Sequence, residues 1–216
     1  MKISVIVSMI ALLLMSSCEE LPLQKNYSYD GEQIELETGI TAYEWIKKRS
    51  DKFSWMLEAI DYAEMSSYYM QDSVKYTFLV IDDVALERWA NNNGALEITD
   101  LDKEKVKSLI KYHIIKGQYS AYDKQCPIEP SFVKTLLAGE DGLLTMHCVK
   151  SSFPIYNAAD GPVITSGNIM INATYANGSS PQRSSVTSNI ITTNGVIHTF
   201  SDYCFYKRDV NYIPLF

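Results

Sequence analysis

The sequence predicts an α+β domain. Three observations carry this. Between residues 41 and 113, apolar side chains recur at three- and four-residue spacing behind helix-capping residues. After Gly117 the character changes to short β-branched and aromatic runs broken by turn residues. Helices therefore precede strands instead of alternating with them, which excludes a parallel α/β sheet. The 216 residues, 46% hydrophobic and 21% charged, suffice for one globular domain and exclude a wholly disordered chain. A net charge of −7 without a Lys/Arg cluster excludes a phosphate-driven nucleic-acid binder.

The elements follow in chain order. Met1-Lys2 precedes an apolar run, Ile3 to Met15, interrupted only by Ser4 and Ser8. That run is too short for a membrane-spanning helix and suits the core of a signal peptide, 1–17. It ends in Leu14-Met15-Ser16-Ser17-Cys18. Residues 21–38 have no sustained period, so 18–38 is expected to be a polar tether. Thr41 and Glu44 stand at capping-box spacing. Phe53, Met56, Leu57 and Ile60 give a second helix one apolar face. Tyr76 to Ile81 is a buried-strand run. Asp82 or Asp83 caps the next helix, whose face is Leu86, Trp89 and Ala90 and whose stop is Asn91-Asn92-Asn93-Gly94. Asp100 or Asp102 caps a helix facing inward with Val106, Leu109, Ile110 and His113. Phe132 to Leu137 and Leu143 to Val149 flank the hairpin signal Gly139-Glu140-Asp141-Gly142. Short strands are expected around Ile155 and Ile169, and a polar loop over Asn177 to Ser185. Asn194-Gly195, between β-branched residues, predicts a type I′ hairpin turn.

Signatures of chemistry are sparse. No G-x-S-x-G, Walker-type loop or G-x-G-x-x-G occurs. His113, His147 and His198 include no i, i+4 pair, so no metal site or cofactor is expected. Cys126, Cys148 and Cys204 include no C-x-x-C and are expected as buried thiols, with the pairing of any two left open. Asp82-Asp83 could serve acid–base work, but capping explains it more simply. Tyr62, Tyr68 and Tyr69 form either the rim of an ordinary core or a ligand surface for sugars.

The small residues before Cys18 resemble a bacterial lipobox, which implies cleavage there and lipid attachment to Cys18. Glu19-Glu20 resembles the surface-export signals of Bacteroidota lipoproteins, and Asp72-Ser73-Val74 the short O-glycosylation sequon of that group, with Ser73 as acceptor. The expected location is the outer membrane, lipid-anchored and facing the cell surface, with the periplasmic face as the alternative.

Thr77-Phe78-Leu79-Val80-Ile81-Asp82-Asp83, the segment Leu109 to Gly117 around Tyr112-His113, and Asn194-Gly195-Val196-Ile197-His198 together resemble the fasciclin domain, over about 39–208. The family often has Ala-Pro after the first strand, where this chain has Val80-Ile81, and 155–188 is longer than the family needs. Residues 209–216 are left as a tail. The resemblance implies N-terminal helices packed on a β-sheet wedge. It also implies a non-enzymatic role in adhesion or in matrix or glycan binding, toward an unknown protein or glycan. The alternative is an accessory lipoprotein of an outer-membrane glycan or nutrient uptake system. Tyr112, His113, Asn194, Gly195 and His198 are the family-motif residues, expected to be structural. Tyr112-His113 also matches the pair linked to integrin binding in some animal members, yet the helical phase of His113 points inward.

Overall fold

A computed structural model of the chain describes residues 37–121, 125–153, 164–172 and 181–205. The leader, Cys18, the strand expected around Ile155, residues 177–180 of the polar loop and the tail at 209–216 lie outside the described residues.

Helices α1 (Ala42–Lys48), α2 (Ser50–Tyr62) and α3 (Ser66–Met70) precede strand β1 (Tyr76–Ile81). Helices α4 (Asp83–Asn92) and α5 (Lys103–Tyr112) follow, separated by a 3₁₀ turn at Ile98–Asp100, and β2 (Ile114–Lys116) closes this half. The rest is β3 (Ser131–Lys134), β4 (Leu143–Phe153), β5 (Ile164–Ile171), β6 (Arg183–Ser184), β7 (Thr187–Thr192) and β8 (Gly195–Phe200). They form two four-stranded sheets, ordered β2-β1-β8-β7 and β3-β4-β5-β6. Among the described strands only β1 and β8 pair in parallel, with Leu79 opposite His198, and this brings the first and last of the three motif segments side by side.

The first sheet is sandwiched. Phe78, Val80 and Ile197 pack with the helices, alongside Trp45, Ile60, Leu86 and Ile110. Leu79 and Phe200 pack instead with Val133, Leu144, Met146, Ile169 and Ile171 of the second sheet. All residues of β1 and β8 are therefore buried, as the continuous apolar run of β1 requires of a strand covered on both faces.

Caps set the helix boundaries. Thr41 and Glu44 form the expected capping box of α1. Asp82 caps α4 by accepting from the Ala85 N–H at 2.9 Å, and Asp102 caps α5 through Lys105 N–H at 3.0 Å. Gly94, at φ +77°, follows the end of α4. Asp83 has a different task. Helix α2 is broken at Phe53 (φ −134°, ψ 28°), which frees the next amides. The Asp83 carboxylate accepts from Ser54 N–H (3.1 Å), Trp55 N–H (2.8 Å) and the Ser54 hydroxyl (2.6 Å). One helix thus caps another across the fold.

The structure corrects several expectations. Thr192 pairs with Gly195, so the loop between β7 and β8 is Thr193-Asn194, and neither residue has a positive φ. Gly195 is instead the first residue of β8, at φ +152°, and a Cβ there would lie 1.9 Å from the Tyr76 carbonyl oxygen. Glycine is required by the close approach of β1, not by a type I′ turn. The tether gives up its last two residues, because Glu37 bridges to Ile191 and Thr38 N–H donates to the Ile191 carbonyl at 2.8 Å. Strand β3 ends at Lys134, since Thr135 and Leu136 turn toward β2: Thr135 bridges Ile115 and Leu136 N–H donates to the Ile114 carbonyl at 2.9 Å. Within the expected polar loop, Arg183 and Ser184 pair with Ile171 and Met170.

Candidate functional site

The motif residues converge on buried backbone. His198 is fully buried in β8. Its Nδ1 lies 3.1 Å from the Asn189 N–H and its Nε2 lies 2.9 Å from the Tyr119 carbonyl. An amide can only donate and a carbonyl can only accept, so the proton is on Nε2. His113, 1% exposed just after α5, has the opposite tautomer: Nδ1 donates to the Leu109 carbonyl at 2.8 Å and Nε2 accepts the Cys204 N–H at 3.1 Å. Burial pushes each imidazole down to about 4, against the backbone hydrogen bond that would raise it. Both rings are neutral at physiological pH, and all four nitrogens are engaged within the fold.

Around His198 a polar network joins the two sheets. Thr77 of β1 donates to the Gly117 carbonyl at 2.8 Å and accepts the Tyr119 N–H at 2.9 Å. Asn189, in the left-handed region at φ +63°, sits in the irregular stretch of β7. Its side chain accepts the Ala121 N–H at 2.7 Å and donates to the Gly167 carbonyl of β5 at 3.3 Å. Segment 117–121 is thus pinned by β1, β7 and β8 together. Thr77 belongs to the strand motif Thr77–Asp83, which alone assigns it no role, and Asn189 has no sequence signal beyond Asn tolerating this backbone region.

Asn194, fully buried, organises the opposite end of β8. Its Oδ1 accepts the first amide of α1, Ala42 N–H, at 2.9 Å, and the Thr192 hydroxyl at 3.1 Å. Its Nδ2 donates to the Tyr69 carbonyl at 2.7 Å, and its own carbonyl accepts the Tyr76 N–H at 3.2 Å. One residue, through its side chain and its backbone carbonyl, therefore fixes where α1, α3 and β1 meet.

The other candidate residues do not join these clusters. Tyr112, 3% exposed, donates to the Leu143 carbonyl at 3.3 Å, so neither member of the Tyr112-His113 pair reaches the surface. Of the three candidate surface tyrosines, Tyr69 is excluded: it is fully buried, stacked on Phe78 with centroids 4.7 Å apart, because it lies on the inner side of the single turn of α3. Tyr62 and Tyr68 are half-buried. The Tyr62 hydroxyl donates to the Leu101 carbonyl at 2.9 Å, and Tyr68 packs edge-on against Tyr76 at 6.0 Å. Ser73 is exposed in the loop before β1. His147 lies on the outer face of β4 opposite Met170, away from the motif histidines. Cys126, Cys148 and Cys204 are buried thiols within the core between the sheets. Among the described residues no group of three or more His, Cys, Asp or Glu is placed to hold a metal ion, and no helix is long and apolar enough to cross a membrane. On the outer face of the second sheet Phe132, 62% exposed, stands opposite Thr145, and Val149 opposite Asn168.

The chain spans less than half of the solved FAS1 domain pair from the insect cell adhesion molecule fasciclin I: 76% of this chain aligns with 45% of that one, at 13% identity and a TM-score of 0.39. No curated protein sequence matches. The sequence model of the fasciclin domain matches residues 51–203, a stretch holding β1, the His113 segment and the Asn194–His198 motif. On that match, the chain belongs to the fasciclin domain family.

Proposed function

We propose that this chain is a surface-anchored, non-enzymatic binding module of the adhesion type, held in the outer membrane through lipid on Cys18. Fasciclin domains are typically adhesion-related modules without catalysis. The observation that carries the reading here is the saturation of the motif: His113, His198 and Asn194 direct every polar side-chain atom at the chain's own backbone. Their chemistry holds the fold, which leaves recognition to exposed side chains on a rigid scaffold. Phe132 is the most exposed aromatic side chain among the described residues and is the first to test. The domain proper runs to about residue 208, and the ligand is a protein or a glycan on a neighbouring surface.

Four measurements test this. Cys18→Ala should abolish acyl labelling and release the protein from the membrane fraction; unchanged labelling refutes the anchor. External protease should cleave the protein on intact cells. Protection until the outer membrane is broken would place it in the periplasm and remove the adhesion reading. A glycan array and a pull-down should yield a ligand whose binding falls with Phe132→Ala while the fold is retained. Reproducible turnover of any glycan or peptide, lost on changing His147 or Asp82 without unfolding, would overturn the non-enzymatic claim.

A further inference from the structure

The tether and an exposed apolar loop share one end of the domain. Asn194 binds Ala42, Tyr69 and Tyr76, Thr193 N–H donates to the Ile40 carbonyl at 2.9 Å, and Lys75 donates to the Thr193 carbonyl. Glu37, the first described residue, bridges Ile191 two positions before that turn. Segments 37–42, 68–76 and 193–194 are therefore one surface. Exposed on it are Met70 (46%) and Val74 (47%), beside half-buried Tyr68 and exposed Lys75. Exposed Asp72 in the same loop offsets the charge of Lys75.

We infer that this end is a lipid-contact surface, with Met70 and Val74 at the acyl boundary and Tyr68 and Lys75 at headgroup level. The inference rests on the lipid anchor at Cys18 proposed above. Segment 19–36 would then join this end to the bilayer, spanning roughly 23 Å as a coil and about 60 Å at full extension. The length and attachment point of that segment commit the patch to one occupant, because the tether holds this end near the membrane and turns the opposite end of β1 away. An apolar pair flanked by Tyr and Lys is the composition of an interfacial contact. Two half-exposed side chains would not hold a free domain on a bilayer. A short tether makes the contact intramolecular, at an effective concentration on the order of millimolar, and a weak contact then suffices. Because exposed Glu37 and Asp72 together outweigh Lys75, the contact does not depend on anionic lipid. A bulky glycan on Ser73 would hold the loop off the surface, so Ser73 must be unmodified in the molecules that dock.

The test uses the full lipidated chain in phosphatidylcholine vesicles, with a nitroxide at Met70→Cys or Val74→Cys and a control at Val84→Cys. Val84 is 63% exposed at the start of α4, beyond the far end of β1. On floated vesicles, the ratio of oxygen to nickel-chelate accessibility should be about threefold higher at 70 and 74 than at 84. Equal ratios at all three positions on floated vesicles overturn the inference while leaving the anchor in place. Failure to float overturns the anchor and this inference with it. Shielding of 70 and 74 without vesicles would assign the patch to a second copy. A requirement for anionic lipid would make the contact electrostatic, and either result refutes the proposal.

Discussion

In the folded chain His113 and His198 stay neutral down to about pH 4, whereas in the unfolded chain each protonates near 6.5. Between those values the unfolded state binds more protons, so stability must fall as pH falls; it is fully present above about 6.5 and lost progressively toward 4. The interval from 6.5 to about 4 is worth on the order of 3 kcal/mol per histidine. Around pH 5 the pair takes up nearly two protons on unfolding, a slope on the order of 2 kcal/mol per pH unit. Against a total stability of roughly 5–15 kcal/mol, that is enough to bring the protein close to its unfolding midpoint near pH 4. Urea unfolding followed by circular dichroism at steps from pH 7.5 to 4.5 measures the slope directly. His198→Gln can keep the donation to Tyr119 but loses the acceptor for Asn189 N–H. It should cost about 1–3 kcal/mol at pH 7.5 and halve the slope. A urea midpoint that does not move between pH 7 and pH 5, or a His198→Gln protein with the full wild-type slope, would refute the assignment of both rings as buried and neutral.

Three further outcomes are expected. Gly195→Ala should cost at least about 3 kcal/mol in a urea melt, because its Cβ would overlap the Tyr76 carbonyl at 1.9 Å; a cost under about 1 kcal/mol would mean β1 and β8 separate easily. Asp83→Ala should cost about 1–2 kcal/mol by uncapping Ser54 and Trp55, and hydrogen exchange should quicken at those two amides rather than at α4. Tyr69→Phe removes a buried hydroxyl with no hydrogen-bond partner among the described residues, so the melting temperature should hold or rise, whereas Tyr62→Phe, which loses the bond to Leu101, should lower it.

The parts of the fold legible in the sequence are those whose cause is local. Thr41 and Glu44 announce their helix because both partners of the box lie within three residues. Tyr76–Ile81 announces its strand because burial on both faces needs an unbroken apolar run. The misreadings have distant causes. Asn194-Gly195 has the dipeptide of a type I′ turn, but the backbone of Gly195 answers to Tyr76, a neighbour only through the parallel pairing of β1 with β8. Tyr69 could not be told from Tyr62 and Tyr68, because α3 is five residues long and one turn offers no period to phase. Asp83 reads from the sequence as an alternative cap for its own helix, α4, whereas the amides it accepts from, Ser54 and Trp55, lie on another helix.

The residues that identify the family are, for the same reason, poor guides to its ligand. Asn194, His198 and Thr77 each satisfy backbone groups of segments far away in the chain, and each is buried. A side chain so placed cannot change without leaving a buried donor or acceptor unpaired, which costs about 1–3 kcal/mol whatever the ligand. Such positions constrain topology and say nothing about recognition. Phe132, Val149, Met70 and Val74 have the opposite standing: each is at least 44% exposed and outside the motif, so the fold tolerates replacement there. Specificity within this architecture must therefore be written in positions that the family pattern does not fix. On the function and lipid contact proposed above, the outer face of the second sheet and the end formed by segments 37–42, 68–76 and 193–194 are where substitution should change binding or membrane contact without changing the melt.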